Sequence, residues 1–235
     1  MSDENSVPVR RTYRHGDLRR ALLDAAVAQA REGGPAAIVL REATRRAGVV
    51  PNAAYRHFQN HQMLLEAVRA VALSELARAI EVEIDASRRL PDPCRRARAA
   101  FCGVGLGYLR FARREPGLFR TAFAARPFTV HERAPDDRAA RGDSGMDPFE
   151  LLCHTLDGMV AAGLLPPERR PGAEFMAWSA VHGMALLVLD GPLRGLGEDQ
   201  YQALAERLVA MVEQGLLAEG RPGQGRAPSD PAQRA

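Results

Sequence analysis

Apolar residues recur along this chain every three to four positions, and no segment alternates convincingly as a strand would, so the pattern predicts helices throughout. Leu18, Leu22, Ala25, Ala26 and Gln29 mark one face of a helix over 17–32, capped by Asp17 and stopped by Gly33-Gly34. Two short helices follow, 40–47 and about 51–57, separated by a turn at Gly48-Val49; Pro51 takes a favoured first-turn position in the second. Asn60 then caps a long helix over 61–87, striped by Leu64, Val68, Val71, Ala72, Leu76, Ala79 and Ile80. At ~1.5 Å per residue it forms a rod of roughly 37 Å, which Pro91 and Pro93 break. Further helices are predicted over 93–114 and 118–123, from the Asp147-Pro148 cap to Ala162, and over 173–189 and 198–218.

Three stretches break this pattern. Residues 1–13 read as a flexible basic arm, 125–146, rich in Pro, Gly, Arg and Asp, as a mobile loop, and 219–235 as a disordered tail. The fold class is therefore all-α, about nine helices: a helix-turn-helix domain over 14–60 and a helical bundle over 61–218.

Composition narrows the function. Hydrophobic residues are 46% of the 235, enough for a sizeable core, and no apolar run approaches the ~20 residues that cross a membrane. The first ten residues hold no apolar leader, so a cytoplasmic protein is expected. Cys94, Cys102 and Cys153 are odd in number and lack C-x-x-C spacing, which argues against a disulfide framework or a zinc site. No catalytic triad, carboxylate pair, phosphate loop or metal set is visible, and His182 with Asp190 or Asp157 makes no known catalytic pairing; neither an enzyme nor a cofactor is implied. All 32 basic residues are Arg, and their distribution is uneven. Residues 1–60 hold ten Arg against six acids, while 61–235 hold 22 against 23. An excess confined to the first quarter suits an anionic partner such as nucleic acid or a membrane surface, or simply a basic solvated face.

The two short helices and the Gly48 turn form the supersecondary unit that reads DNA, the second helix entering the major groove; such pairs also occur in ordinary bundles. Ala43, Ala47, Val49, Ala54 and Phe58 suit the small core between them. Asn52, Arg56 and Ala53 then face base edges, where Arg can bind guanine and Asn adenine, and Tyr55, His57 and Thr44 face phosphates.

The run Tyr13-Arg14-His15-Gly16-Asp17-Leu18-Arg19, with LREATRRAGVVPNAAYRHFQNHQMLLEAV at 40–68, resembles the N-terminal domain of TetR-family transcriptional repressors. A weaker likeness links Ala177-Trp178-Ser179-Ala180-Val181-His182-Gly183, with Pro116-Gly117-Leu118-Phe119 and Ala162-Gly163-Leu164, to a subgroup carrying a Trp-His-Gly signature on its eighth helix. The resemblance implies a homodimer, a palindromic operator in double-stranded DNA and release when a small-molecule effector binds. It adds Arg14, Val50, Pro51 and His61 to the DNA-facing set. Three residues depart from the family pattern. Val39 and Val50 stand where helix-capping Ser or Thr is usual, and His61 where a Lys grips phosphate. A lost cap costs ~1 kcal/mol, and lost phosphate contacts weaken binding and flatten its salt dependence. Modest DNA affinity is expected, partly restored by Arg10, Arg11 and Arg14 of the arm; the alternative is a helical dimer with a weakened reading head.

The second half suggests an effector site. Phe101, Val104, Tyr108 and Phe111 stripe the 93–114 helix, which also carries Gly103, Gly105 and Gly107. Each mid-helix Gly costs ~1 kcal/mol against Ala, so a close neighbour, helix or ligand, needs the room. Phe119, Phe123, Met159, Trp178 and Met184 add soft aromatic surface suited to apolar molecules, or to ordinary core. His154, His182 and Tyr108 are the polar groups that can orient a ligand, and Cys102 and Cys153 can border the same space. The 173–189 and 198–218 helices are more apolar than one chain can bury, which predicts a four-helix dimer interface.

Overall fold

The computed structural model describes residues 15–124 and 138–217. The arm at 1–13 with Arg14, the first part of the 125–146 loop and the 219–235 tail lie outside the described residues. Among the described residues the fold is nine α-helices with three short 3-10 turns and no strand. They are α1 (His15–Gly33), α2 (Leu40–Arg46), α3 (Pro51–Ala54), α4 (His61–Ser87), α5 (Pro93–Arg114), α6 (Pro116–Ala122), α7 (Pro148–Ala161), α8 (Ala173–Leu189) and α9 (Glu198–Leu217).

The head packs α1 over α2 and α3. Leu22, Ala26, Ile38, Ala43, Ala54 and Phe58 are buried there, with Ala47 and Val49 half-buried against them. Gly48 takes φ 68°, a left-handed conformation that other residues adopt only at a cost, and this turns the chain from α2 into α3. Asn60 opens α4 by accepting from Met63 N at 2.8 Å. From there α4 runs 27 residues, about 40 Å, into the body.

In the body α5, α6 and α7 pack on that rod, and α8 and α9 pack on α5. A Cβ on Gly103 would lie 3.1 Å from the Glu83 carbonyl, and one on Gly107 2.8 Å from Ile80 Cα, so both glycines let α5 lie backbone to backbone on α4. Gly105 faces the other way: a Cβ there would meet Val209 of α9 at 2.8 Å and Val181 of α8 at 3.6 Å. Neighbouring helices account for all three glycines.

Two boundaries differ from the sequence expectation. The recognition helix is a single turn, because both His57 N and Phe58 N bond to the Ala54 carbonyl at 2.9 Å and wind 55–57 into a turn. The second part of the expected mobile loop, 138–146, is docked on α4. Glu81 accepts from Asp143 N at 2.9 Å, Ser144 N at 2.9 Å and Ser144 Oγ at 2.6 Å, while Ser74 Oγ donates to the Arg141 carbonyl at 2.7 Å. Arg141 in turn pairs with Glu150, which closes the capping box of α7 with Asp147.

Candidate nucleic-acid interface and effector site

The outer face of the head carries Asn52, Tyr55 and Arg56, all exposed, with Val50 at 69% exposure just before α3. Pro51 opens α3, and Ala53 and His57 are half-buried beside it. Thr44 is not part of this face. It is 3% exposed, on the inward face of α2 with Leu40 and Ala43, and its hydroxyl donates to the Arg41 carbonyl at 2.6 Å. His61 is exposed, but its Nε2–H donates to the Ile38 carbonyl at 2.8 Å, so that proton ties α4 to the base of α2.

The cations of α2 have different fates. Arg45 bonds Glu42 at 2.6 and 2.8 Å, and Arg46 bonds both Glu42 and Glu32. The two guanidiniums hold the Glu42 carboxyl down to about 2. Among the described residues Arg41 and Arg56 have no such partner, and both are exposed. Arg41 is a DNA-facing candidate that sequence reasoning missed. Gln29, placed from sequence only on the inward face of α1, is 1% exposed and accepts from Val39 N at 2.8 Å, satisfying an amide beside the uncapped start of α2.

The second site is a cluster of rings where α5, α6, α7 and α8 meet. Tyr108 and Phe119 are buried at its base, 5.4 Å apart edge to face. Phe123, Trp178 and His182 are half-buried above them; His182 lies 4.9 Å from Phe123 and 5.9 Å from Trp178 between centroids. Phe149 of α7 stands 6.1 Å from Trp178 and 5.8 Å from Phe175. Neither of those rings was singled out from sequence, although Phe175 sits three residues before Trp178 on the same helical face. A hydrogen-bonded chain crosses the cluster. Trp178 Nε1 donates to Tyr108 Oη at 3.3 Å, and Tyr108 Oη lies 2.7 Å from His182 Nδ1. Burial raises the Tyr108 phenol above its ordinary range and lowers the His182 imidazole below its own, so both are neutral near pH 7.

The remaining effector candidates lie elsewhere. His154 is exposed on the outer face of α7, because Leu151, Leu152, Thr155, Leu156 and Met159 turn the opposite face inward. Phe101 and Met159 are buried core residues, and Phe101 makes no ring contact with the cluster. Gly105 packs on α8 and α9 as described. Cys102 is half-buried near Arg98 and Glu213, its thiol pushed up to about 11 by burial, while burial also raises Cys153. Neither is a reactive thiolate.

Between the two sites stands α6. Its Gly117 packs on the Ala30 and Arg31 carbonyls at the end of α1 so closely that a Cβ would collide with both. Arg69 of α4 donates to the Ala122 carbonyl at 2.8 Å, and Arg120 pairs with Asp190 after α8 at 2.7 Å. Arg31 forks between Glu75 of α4 at 2.7 Å and Glu115 at 2.6 Å. Phe119 and Phe123 place the same short helix against the rings.

Residues 22–68 match the profile of bacterial regulatory proteins of the tetR family, and residues 101–212 match a tetracyclin repressor-like C-terminal domain. The chain belongs to the TetR family of transcriptional regulators. It is thus a DNA-binding regulator rather than an enzyme. Among solved structures, a protein of unknown function from Rhodococcus sp. RHA1 is 25% identical, with TM-score 0.68, over 89% of this chain and 100% of that one. A single-residue variant of TetR from Acinetobacter baumannii AYE, in complex with minocycline, is 18% identical, with TM-score 0.53, over 86% and 96%. The TetR-family regulator PfmR from Thermus thermophilus is 18% identical, with TM-score 0.51, over 83% and 98%. These two distant likenesses speak for the fold. A search of curated proteins finds no match. No described helix of this TetR-family chain is long and apolar enough to cross a membrane, and no described group of three or more His, Cys, Asp or Glu could hold a metal ion.

Proposed function

We propose that this TetR-family regulator is a ligand-responsive repressor that leaves a palindromic operator when a small apolar or aromatic molecule settles among the rings of α5, α6 and α8. The observation that carries the reading is the position of α6, which bears Phe119 and Phe123 at one site and grips the end of α1 through Gly117 at the other. A ligand that parts Phe119 or Phe123 from Trp178 and His182 displaces α6. Because α6 is pinned to α1, to α4 through Arg69 and to the Arg31 fork, the displacement reaches the head. Its effect is set by the differential affinity of the ligand for the two arrangements, and ~1–3 kcal/mol of coupling is enough. The Acinetobacter structure with minocycline supports a body of this kind holding a small molecule.

The dimer belongs to the same reading. Spacings of four, three and four residues put Met176, Ala180, Gly183 and Leu187 on one stripe of α8, and Leu204, Leu208, Met211 and Gly215 on one stripe of α9. Met176 is 65% exposed and Met211 61%, and nothing lies within 4 Å of a Cβ built on Gly183 or Gly215. Met184, Val188, Tyr201 and Leu216 of the same two helices are buried inside the protomer. Two such stripes per chain form a four-helix interface, whose twofold axis matches half-sites about 34–36 Å apart or a multiple of that.

The test is fluorescence anisotropy with duplex DNA flanking the protein's own coding region. Saturable, salt-sensitive binding that an aromatic compound reverses is the expected result. Binding indifferent to every compound that perturbs Trp178 fluorescence would overturn the effector half of the proposal. The absence of any duplex binding would favour the dimer with a weakened head.

A further inference from the structure

The hydrogen-bonded chain through the rings has a direction, and we infer from it that the effector site presents one N–H donor, His182 Nε2, and selects uncharged aromatic molecules that carry a hydrogen-bond acceptor. This rests on the effector reading above and adds the chemical class of the ligand. The Trp178 indole nitrogen can only donate, and it donates to Tyr108 Oη at 3.3 Å. Tyr108 has one proton to give, and His182 Nδ1 lies 2.7 Å from its oxygen. With Oη accepting from Trp178 and donating to Nδ1, all three groups are satisfied. Nδ1 then carries no hydrogen, and the neutral ring keeps its proton on Nε2. The reverse arrangement would aim two donors at one phenol and leave the phenol proton without an acceptor. Tyr108 is buried, and a buried donor left without an acceptor is disfavoured.

His182 Nε2 makes no hydrogen bond to the described residues, and since no buried polar atom is unpaired, it is open to solvent or ligand. The rings that meet His182 are Tyr108, Phe119, Phe123 and Trp178, all uncharged. Among the described residues these rings offer a carboxylate no countercharge, and a charge buried without a partner is strongly disfavoured. A primary ammonium would bring three N–H donors and find no free acceptor, because Nδ1 and Oη are already engaged. A planar neutral molecule with a carbonyl or a ring nitrogen satisfies both the faces and the donor.

Two measurements test this on the full-length protein. In the first, histidine-labelled protein at pH 7.5 is read by long-range nitrogen NMR, with the His182 signal identified by its loss in His182→Gln. The Nε2–H tautomer is expected, and Tyr108→Phe should abolish the preference. An Nδ1–H or doubly protonated ring in the unsubstituted protein would overturn the inference, whatever the ligand. In the second, fluorescence of Trp178, the only tryptophan, is titrated with acetophenone, ethylbenzene, benzoate and benzylammonium. Acetophenone should bind about tenfold more tightly than ethylbenzene, a factor on the order of one hydrogen bond, and the two ions should give no saturable response. In His182→Phe the acetophenone advantage should vanish while ethylbenzene still binds. Preference for either ion, or an advantage that survives His182→Phe, overturns the donor assignment but leaves the effector site standing. No saturable response to any of the four overturns the site and the assignment together.

Discussion

Arg41 and Arg45 lie one turn apart on α2, yet only Arg41 is available to a phosphate or a base edge. Arg45 is held by Glu42, and Arg46 by Glu42 and Glu32. Substituting Arg41 or Arg56 by Ala should therefore cost ~1–3 kcal/mol of operator affinity where a base is read, or lower the salt slope by about 1 where a phosphate is held. Arg45→Ala should change affinity far less. Anisotropy titrations over a salt series check this, and equal losses in all three variants would refute the assignment. In sequence the Arg residues of α2 look alike; only packing brings Glu32, on α1, to Arg46. Asn52, Tyr55 and Arg56 were legible as outward residues, while the burial of Thr44, which depends on how α2 packs, was not. A second prediction at this scale concerns pH. Burial lowers the His182 imidazole below its usual 6.5, so the unfolded chain takes up a proton where the folded one resists it. The resulting contribution is complete above the unfolded value and is lost as pH falls below it. Between pH 7.5 and 5.5 the Tm of the unsubstituted protein should fall further than that of His182→Gln.

Helix α6 has seven residues and is tied on three sides, which makes it the element where stability and signalling are hardest to separate. A methyl at Gly117 would collide with the α1 carbonyls. Gly117→Ala should cost ~1–3 kcal/mol by overpacking and should also blunt the effect of an aromatic ligand on DNA binding, since α6 could no longer seat on α1. Gly158→Ala on α7 is the control: nothing lies within 4 Å of the added methyl, and removing a mid-helix glycine should stabilise by up to ~1 kcal/mol. Denaturant unfolding, paired with anisotropy with and without ligand, reads both effects. Destabilisation of Gly117→Ala with an intact ligand response would remove α6–α1 contact from the mechanism. Helix positions were largely legible, because caps such as Asn60 and Asp147 and breakers such as Pro91 and Pro93 act locally. The docking of 138–146 was not, since the Glu81 carboxylate that accepts from its amides lies some sixty residues earlier on α4.

At the scale of the whole molecule, the question is why α8 keeps a glycine in its middle. Inside the protomer Gly183 has no task, because its φ is not positive and a Cβ would touch nothing within 4 Å. The dimer proposed above would give it a task outside the protomer, since the stripe running Met176, Ala180, Gly183, Leu187 is the one assigned to a second copy of the chain. Gly183→Ala then has two effects of opposite sign. The isolated fold should gain ~1 kcal/mol of helix stability, while the dimer should dissociate more readily because the methyl keeps the two α8 backbones apart. Sedimentation equilibrium reads the second effect, and unfolding at concentrations where the chain is monomeric reads the first. Leu187→Arg with Met211→Arg, at positions 45% and 61% exposed, should give a folded monomer, since neither side chain fills the protomer core. That monomer should retain its helical circular dichroism and lose high-affinity operator binding, because one head reads only half of a palindrome. A double variant that still sediments as a dimer would place the twofold axis on another face. The geometry of the two heads would then have to be built without α8 and α9.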